Sequence, residues 1–98
     1  MLIIHVTYEL KDGMRDTFLK KLAQLQIAEK SRAEAGNYDY TYFLPIDGSN
    51  TVFLTEAWEN VEAQIAHTQM EHFKALRLVE EECVSNVVIR KFDGAVEI

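Results

Sequence analysis

Cysteine occurs once in this 98-residue chain, at Cys83, and histidine three times. A lone cysteine rules out an intrachain disulfide and any metal cluster built on several thiolates, and near a helix end it reads as a small apolar packing residue. Cations are also scarce: ten Lys and Arg face sixteen Asp and Glu, a formal charge of −6. Those ten are scattered, whereas neutralising phosphates needs a clustered basic surface, so nucleic acid is excluded as a partner and acidic membranes are disfavoured. No apolar run approaches the roughly 20 residues of a membrane span. The opening MLIIHVTYEL lacks a basic leader and meets His5 early, so no signal peptide is expected and the chain is expected to be cytoplasmic. No long stretch is dominated by Pro, Gly, Ser or like charge, and no repeat of 20 to 50 residues appears. A single domain over residues 1–98 follows. There is also no glycine-rich phosphate cradle and no serine nucleophile elbow.

What is present is a globular balance, 48% apolar and 27% charged. Residues 2–10 alternate, with Ile4, Val6, Tyr8 and Leu10 on one face and Ile3, His5, Thr7 and Glu9 on the other, which predicts a strand. After the turn signal KDGM, the sequence Met14, Phe18, Leu22, Leu25 recurs at helical spacing, predicting a helix that reaches about Ala35 and stops at Gly36. In NYDYTYFLPI the residues Tyr38, Tyr40, Tyr42 and Leu44 are expected to face one way. DGSN then reverses the chain into TVFLTEAW, making a hairpin. Asn60 suits the cap of a second helical region ending near Cys83, and NVVIRKF supplies the last strand.

The order β-α-β-β-α-β is that of an α+β, ferredoxin-like unit, a four-stranded antiparallel sheet with both helices on one face. Phe53, Thr55 and Ala57 alternate with Val52, Leu54 and Trp58, so the third strand is largely apolar on both sides, and the first and last strands share this character. Two helices cover only one face. The self-complementary solution for the other is a second copy, so a homodimer joined sheet to sheet is expected.

TEAWENVEAQIAHTQMEHFK carries the candidate chemistry. On an unbroken helix the five-residue step from His67 to His72 leaves them about 140° apart around the axis. They then share no face, the spacing is not that of a zincin, and no metal is expected. Thr68 and Gln69 could instead start a fresh turn, giving a short helix, a corner and a longer helix, with both imidazoles looking toward Glu56 and Trp58. Glu56, on a two-sided apolar strand, must be paired or face a cavity. The run Glu80, Glu81, Glu82 reads as a solvated face.

EAGNYDY, then the hairpin, then VFLTEAWENVEAQIAHTQMEHFK together resemble the antibiotic biosynthesis monooxygenase family. The positions that carry the resemblance are Glu34, Gly36, Tyr38, Glu56, Trp58, His67, His72, Phe73 and Lys74. The resemblance implies a dimeric α+β barrel, a pocket between sheet and helices, and oxygenation of quinols or anthrones without metal or flavin. It assigns His67 or His72 as base, Glu56 or a tyrosine hydroxyl as the orienting group, and Trp58 and Phe73 as ring contacts, with Tyr38, Tyr40 and Tyr42 also directed at a small aromatic substrate that meets dioxygen. Haem-degrading relatives are a poor match, because the first strand offers Thr7 where they carry Asn, and Leu76 and Arg77 follow FKA where they carry a His ligand. Two alternatives stay open: an isomerase of a phosphorylated signalling sugar derivative, which needs a cation such as Arg90 or Lys91, and a non-catalytic dimer that binds a hydrophobic metabolite.

Overall fold

In the computed structural model, which describes residues 1–98, four strands form one antiparallel sheet. They are β1 (Leu2–Leu10), β2 (Asn37–Phe43), β3 (Thr51–Trp58) and β4 (Val84–Phe92), in the spatial order β2-β3-β1-β4. The helical segments are α1 (Arg15–Gln24), α2 (Ile27–Arg32), α3 (Val61–His67) and α4 (Glu71–Cys83). This is the expected ferredoxin-like arrangement, with each helical region of the sequence divided in two. No helix is long and apolar enough to cross a membrane.

Alternation decides which side chains reach the core. Leu2, Ile4, Val6, Tyr8 and Leu10 of β1 are buried beside Val52, Leu54 and Trp58 of β3, and the helices add Phe18, Leu22, Ile27, Leu76 and Val79. The register sets Tyr40 opposite Glu56 opposite Ile4 opposite Lys91, one row of four side chains across the helix-covered face. Phe43, Phe53, His5 and Phe92 lie on the other face, with centroids 6.3 Å, 5.3 Å and 5.4 Å apart in succession. Phe43, Val88 and Phe92 of that face are exposed. The apolar outer surface read from the sequence is therefore present.

Three expectations need correction. The first helix does not run unbroken to Ala35: Gln26 adopts a left-handed conformation (φ 54°), splitting it, and the second piece ends at Arg32. Gly36 does supply the left-handed turn (φ 81°). A bulge between Asn37 and Asp39 breaks the alternation of β2, so Tyr38 does not follow Tyr40 and Tyr42 to the helix side but is 62% exposed. Leu44 lies beyond the strand and is exposed as well. Cys83 is free and fully buried, as its apolar reading required.

Candidate active site

The second helical region turns a corner where Thr68 and Gln69 suggested one. Asn60 caps α3 by accepting a hydrogen bond from the Ala63 N–H at 2.9 Å, an interaction worth about 1 kcal/mol. At its other end, Gln69 N–H and Met70 N–H donate three residues back to Ala66 and His67, tightening the last turn. The Thr68 hydroxyl donates to the Ile65 carbonyl at 2.6 Å. Met70 is then extended (ψ 147°), and α4 starts at Glu71 in a new direction. His67 thus closes one helix while His72 opens the next.

The corner brings both rings to a single carboxylate. Oε2 of Glu34 lies 2.6 Å from His67 Nδ1 and 2.7 Å from His72 Nε2. The side chains of Glu34, His67 and His72 are 6%, 2% and 12% exposed. Glu34 sits in the turn after α2, held by backbone bonds from its own N–H to Ser31 and from the Asn37 N–H to its carbonyl. Gly36 fixes the approach: its carbonyl accepts from the Glu59 N–H at 2.7 Å, tying this turn to the start of α3. A Cβ on Gly36 would lie 2.8 Å from that of Ala63. Glu34 entered the sequence reading only as part of the motif, and the carboxylate on which both histidines converge is this one, not Glu56. A carboxylate in a turn carries no periodicity to mark it; the nearby glycine was the available signal.

A carboxylate only accepts hydrogen bonds, so each ring presents an N–H to it. For His67 this leaves Nε2 with the lone pair. Around that ring stand Trp58 at 4.8 Å, Phe73 at 5.1 Å and Tyr40 at 5.6 Å between centroids. Burial among them pushes the His67 pKa down, and Glu34 opposes the shift. The imidazole is a neutral base at neutral pH.

A cavity of about 110 Å³ adjoins it, lined by His67, Tyr40, Glu56, Phe73, Gln64 and Leu76 on one side and by Tyr8, Arg77, Glu80, Val87, Ile89 and Lys91 toward β4. Of the residues expected around a pocket, Tyr40, Glu56, His67 and Phe73 line it. Trp58, His72 and Tyr42 stand behind the lining, and Tyr38 is on the far side of the sheet edge. Trp58 is fully buried and donates its Nε1–H to Glu56 Oε1 at 3.0 Å. Burial raises the Glu56 pKa to about 7, against the Trp58 bond and the charge of Lys91. Burial likewise raises Tyr40 and Tyr42, keeping both phenols neutral. Glu80 departs from the solvated reading: it accepts the Tyr8 hydroxyl at 2.8 Å, and burial raises its pKa. Lys91 faces the cavity, whereas Arg90 pairs in register with His5 on the outer face and stacks over Phe92 at 5.4 Å. A larger depression of about 830 Å³ lies beside Ile3, Tyr38 and Ala57, but no histidine, cysteine or serine lines it. His67 and Glu56 line the smaller cavity.

A sheet roofed by helices, with a buried, carboxylate-held pair of imidazoles beside a small hollow, defines a class of compact ferredoxin-like domains with a pocket between sheet and helices. Within that class the chain belongs to the antibiotic biosynthesis monooxygenase family, whose model matches residues 1–77. It is 30% identical over 74 residues, 76% of each chain, to a Bacillus subtilis (strain 168) protein named "Putative monooxygenase YcnE". Its fold superposes with a TM-score of 0.88 on a Nitrosomonas europaea structure called a "Putative antibiotic biosynthesis monooxygenase", at 20% identity and covering 98% of this chain and 100% of that one. A Pseudomonas aeruginosa crystal structure matches at a TM-score of 0.84 and 26% identity, over 93% of this chain and 90% of the other.

Proposed function

We propose that the protein is a cofactor-independent monooxygenase of a small, electron-rich aromatic of the quinol or anthrone kind, with His67 as its base. The observation that carries this reading is the pairing of His67 Nδ1 with Glu34 beside the cavity, which leaves Nε2 free to take a proton. Glu34 fixes the tautomer and stabilises the imidazolium once formed; His72 holds the carboxylate from its other side.

Triplet dioxygen reacts slowly with closed-shell molecules, but an enolate or phenolate can give it one electron. For an anthrone-like carbon bearing two hydrogens, His67 Nε2 removes a proton and the resulting anion passes an electron to dioxygen. The radical and superoxide combine to form a C–O bond, and His67 returns its proton to give a hydroperoxide. Loss of water, made from the distal oxygen and the second C–H hydrogen, leaves a carbonyl. One oxygen atom stays in the product and the other leaves as water, so no further reductant is required. Phe73 and Tyr40 offer faces to the ring, and the neutral acid of Glu56 can donate to an oxygen of the substrate. A volume of about 110 Å³ is small beside the roughly 300 Å³ where ligand pockets usually begin. One ring is the natural load, and a larger substrate requires Phe73 and Arg77 to swing outward.

The test is dioxygen uptake by the purified protein with reduced quinones and anthrones, with labelled dioxygen to count the atom retained. His67→Ala should abolish uptake. Unchanged turnover in folded His67→Ala and His72→Ala proteins would refute the base assignment, and binding without uptake would make the protein a metabolite binder. Lys91 at the cavity favours one second reading, an isomerase of a phosphorylated sugar derivative, which would turn over without consuming dioxygen and lose affinity in Lys91→Ala. The working unit in our reading is a homodimer joined through the outer sheet face, supported by the aromatic row from Phe43 to Phe92, whose two ends are exposed.

A further inference from the structure

We propose that Glu34, His67 and His72 form a binding site for one divalent transition-metal ion of the zinc type, and that an ion bound there switches off the base. On an unbroken helix the two histidines could not share a ligand; the corner at 68–70 removes that objection. Nδ1 of His67, Nε2 of His72 and a carboxylate oxygen of Glu34 lie within 4.8 Å of one another, and they come from three different segments. Two imidazoles and a carboxylate are a donor set that zinc and its neighbours accept, with a further position left for water.

A second observation points the same way. The other oxygen of Glu34, Oε1, is buried and has no hydrogen-bond partner, in a side chain only 6% exposed. Hydrogen bonds to Oε2 leave that oxygen unsatisfied, and a cation between the rings would give the carboxylate a use for both. Ligands about 2.0 to 2.1 Å from a tetrahedral ion stand about 3.3 Å apart. The contacts of 2.6 and 2.7 Å to Oε2 must therefore open by roughly 0.6 Å, and the two ring nitrogens, which lie within 4.8 Å of each other, must close toward the same spacing. Binding takes a rotation of Glu34 together with an approach of the two rings across the corner. The partly exposed His72 ring provides the route of entry, and the negative net charge favours a cation.

The proton balance is closed. To offer Nδ1 to the ion, His67 moves its proton to Nε2, and His72 moves its proton from Nε2 to Nδ1; none is released. Nε2 of His67 then carries N–H and can no longer accept a proton from a substrate. This loss of activity rests on the base assignment above, whereas the site itself does not.

Calorimetric titration of chelator-treated protein with Zn²⁺ in a non-coordinating buffer should give one ion per chain, and Co²⁺ should give the intense visible bands of a four- or five-coordinate site. Glu34→Gln and His72→Ala should each weaken binding by at least about tenfold. His5→Ala, on the outer face, should leave it unchanged. In the wild-type protein, nitrogen-15 shifts of His67 should move from protonation at Nδ1 to protonation at Nε2 as Zn²⁺ is added, a readout that survives if a variant fails to fold. No binding by the wild-type protein, equal binding by both variants, or His67 shifts that do not respond would each overturn the site. If the ion binds as described but no substrate is ever turned over, the site stands and the oxygenase reading fails.

Discussion

Replacing Glu56 by glutamine isolates one buried titration. Glutamine keeps the size of the side chain and an oxygen for the Trp58 N–H, but carries no ionisable proton. Burial is the largest cause of the raised Glu56 pKa; the Trp58 bond and Lys91 pull it down, and Glu34 and Glu80 push it further up. A carboxyl whose folded pKa exceeds its unfolded value contributes stability that is fully present below the unfolded value and is lost as pH rises through the folded one. The window therefore runs from the ordinary 4.5 to about 7. At about 1.4 kcal/mol for each pH unit, the wild-type protein should lose about 3 kcal/mol relative to Glu56→Gln across it. His67 acts in the opposite sense, since its lowered pKa gives stability that is present above its ordinary value of 6.5 and is lost as pH falls. That contribution is common to both proteins and cancels in the difference. Urea unfolding followed by circular dichroism, at one protein concentration and from about pH 4 to about pH 8, measures the difference directly. It should grow by about 3 kcal/mol up to neutrality and then level off. A difference that stays constant, or that shrinks as pH rises, would refute the account of Glu56 as a desolvated acid.

Three other perturbations test separate parts of the reading. Glu34→Gln cannot accept both imidazole N–H groups on a charged oxygen, so dioxygen uptake should fall by about 10² to 10⁴-fold while the protein stays folded; activity within a factor of two would sink the orienting role. Gly36→Ala forces a left-handed residue and a Cβ 2.8 Å from that of Ala63, and denaturant melts should register a loss of at least about 2 kcal/mol. Val88→Asp puts a charge in the outer apolar face, so light scattering should read the 11.3 kDa chain mass for the variant and twice that for the parent. Identical masses for the two proteins would remove the sheet-to-sheet dimer.

The order of elements was legible because a strand with one buried face has a period of two and cannot slip without exposing its core side chains. β1 and β3 sit in the middle of the sheet, and their alternation holds from Leu2 to Leu10 and from Val52 to Glu56, after which Ala57 is buried too. Where local geometry departs from its period, the pattern misleads. The left-handed Gln26 has no glycine to announce it, and the bulge at Asn37–Asp39 turns Tyr38 away from its neighbours with no change in composition. Glu80 was hidden by its company: in a run of three glutamates only it falls four residues after Leu76, on the stripe that faces Tyr8. Glu34 was hidden by distance, since the histidines it holds are 33 and 38 residues further along the chain. No local pattern reports a contact of that range.

The corner between α3 and α4 is what turns two weak candidates into one site. A straight helix would leave one of the two rings facing solvent, and a neutral imidazole in solvent has no fixed tautomer. With Met70 extended, both rings reach the same buried oxygen, and the constraint passes through it: His72 fixes the carboxylate, and the carboxylate fixes His67 at the edge of the hollow. The three aromatic rings packed on His67 hold its plane while burial keeps it neutral. A residue inserted between Thr68 and Met70 would lengthen the corner and re-aim α4 relative to α3. That single change separates the two histidines without altering any side chain of the site, and it should remove metal binding and proton transfer together.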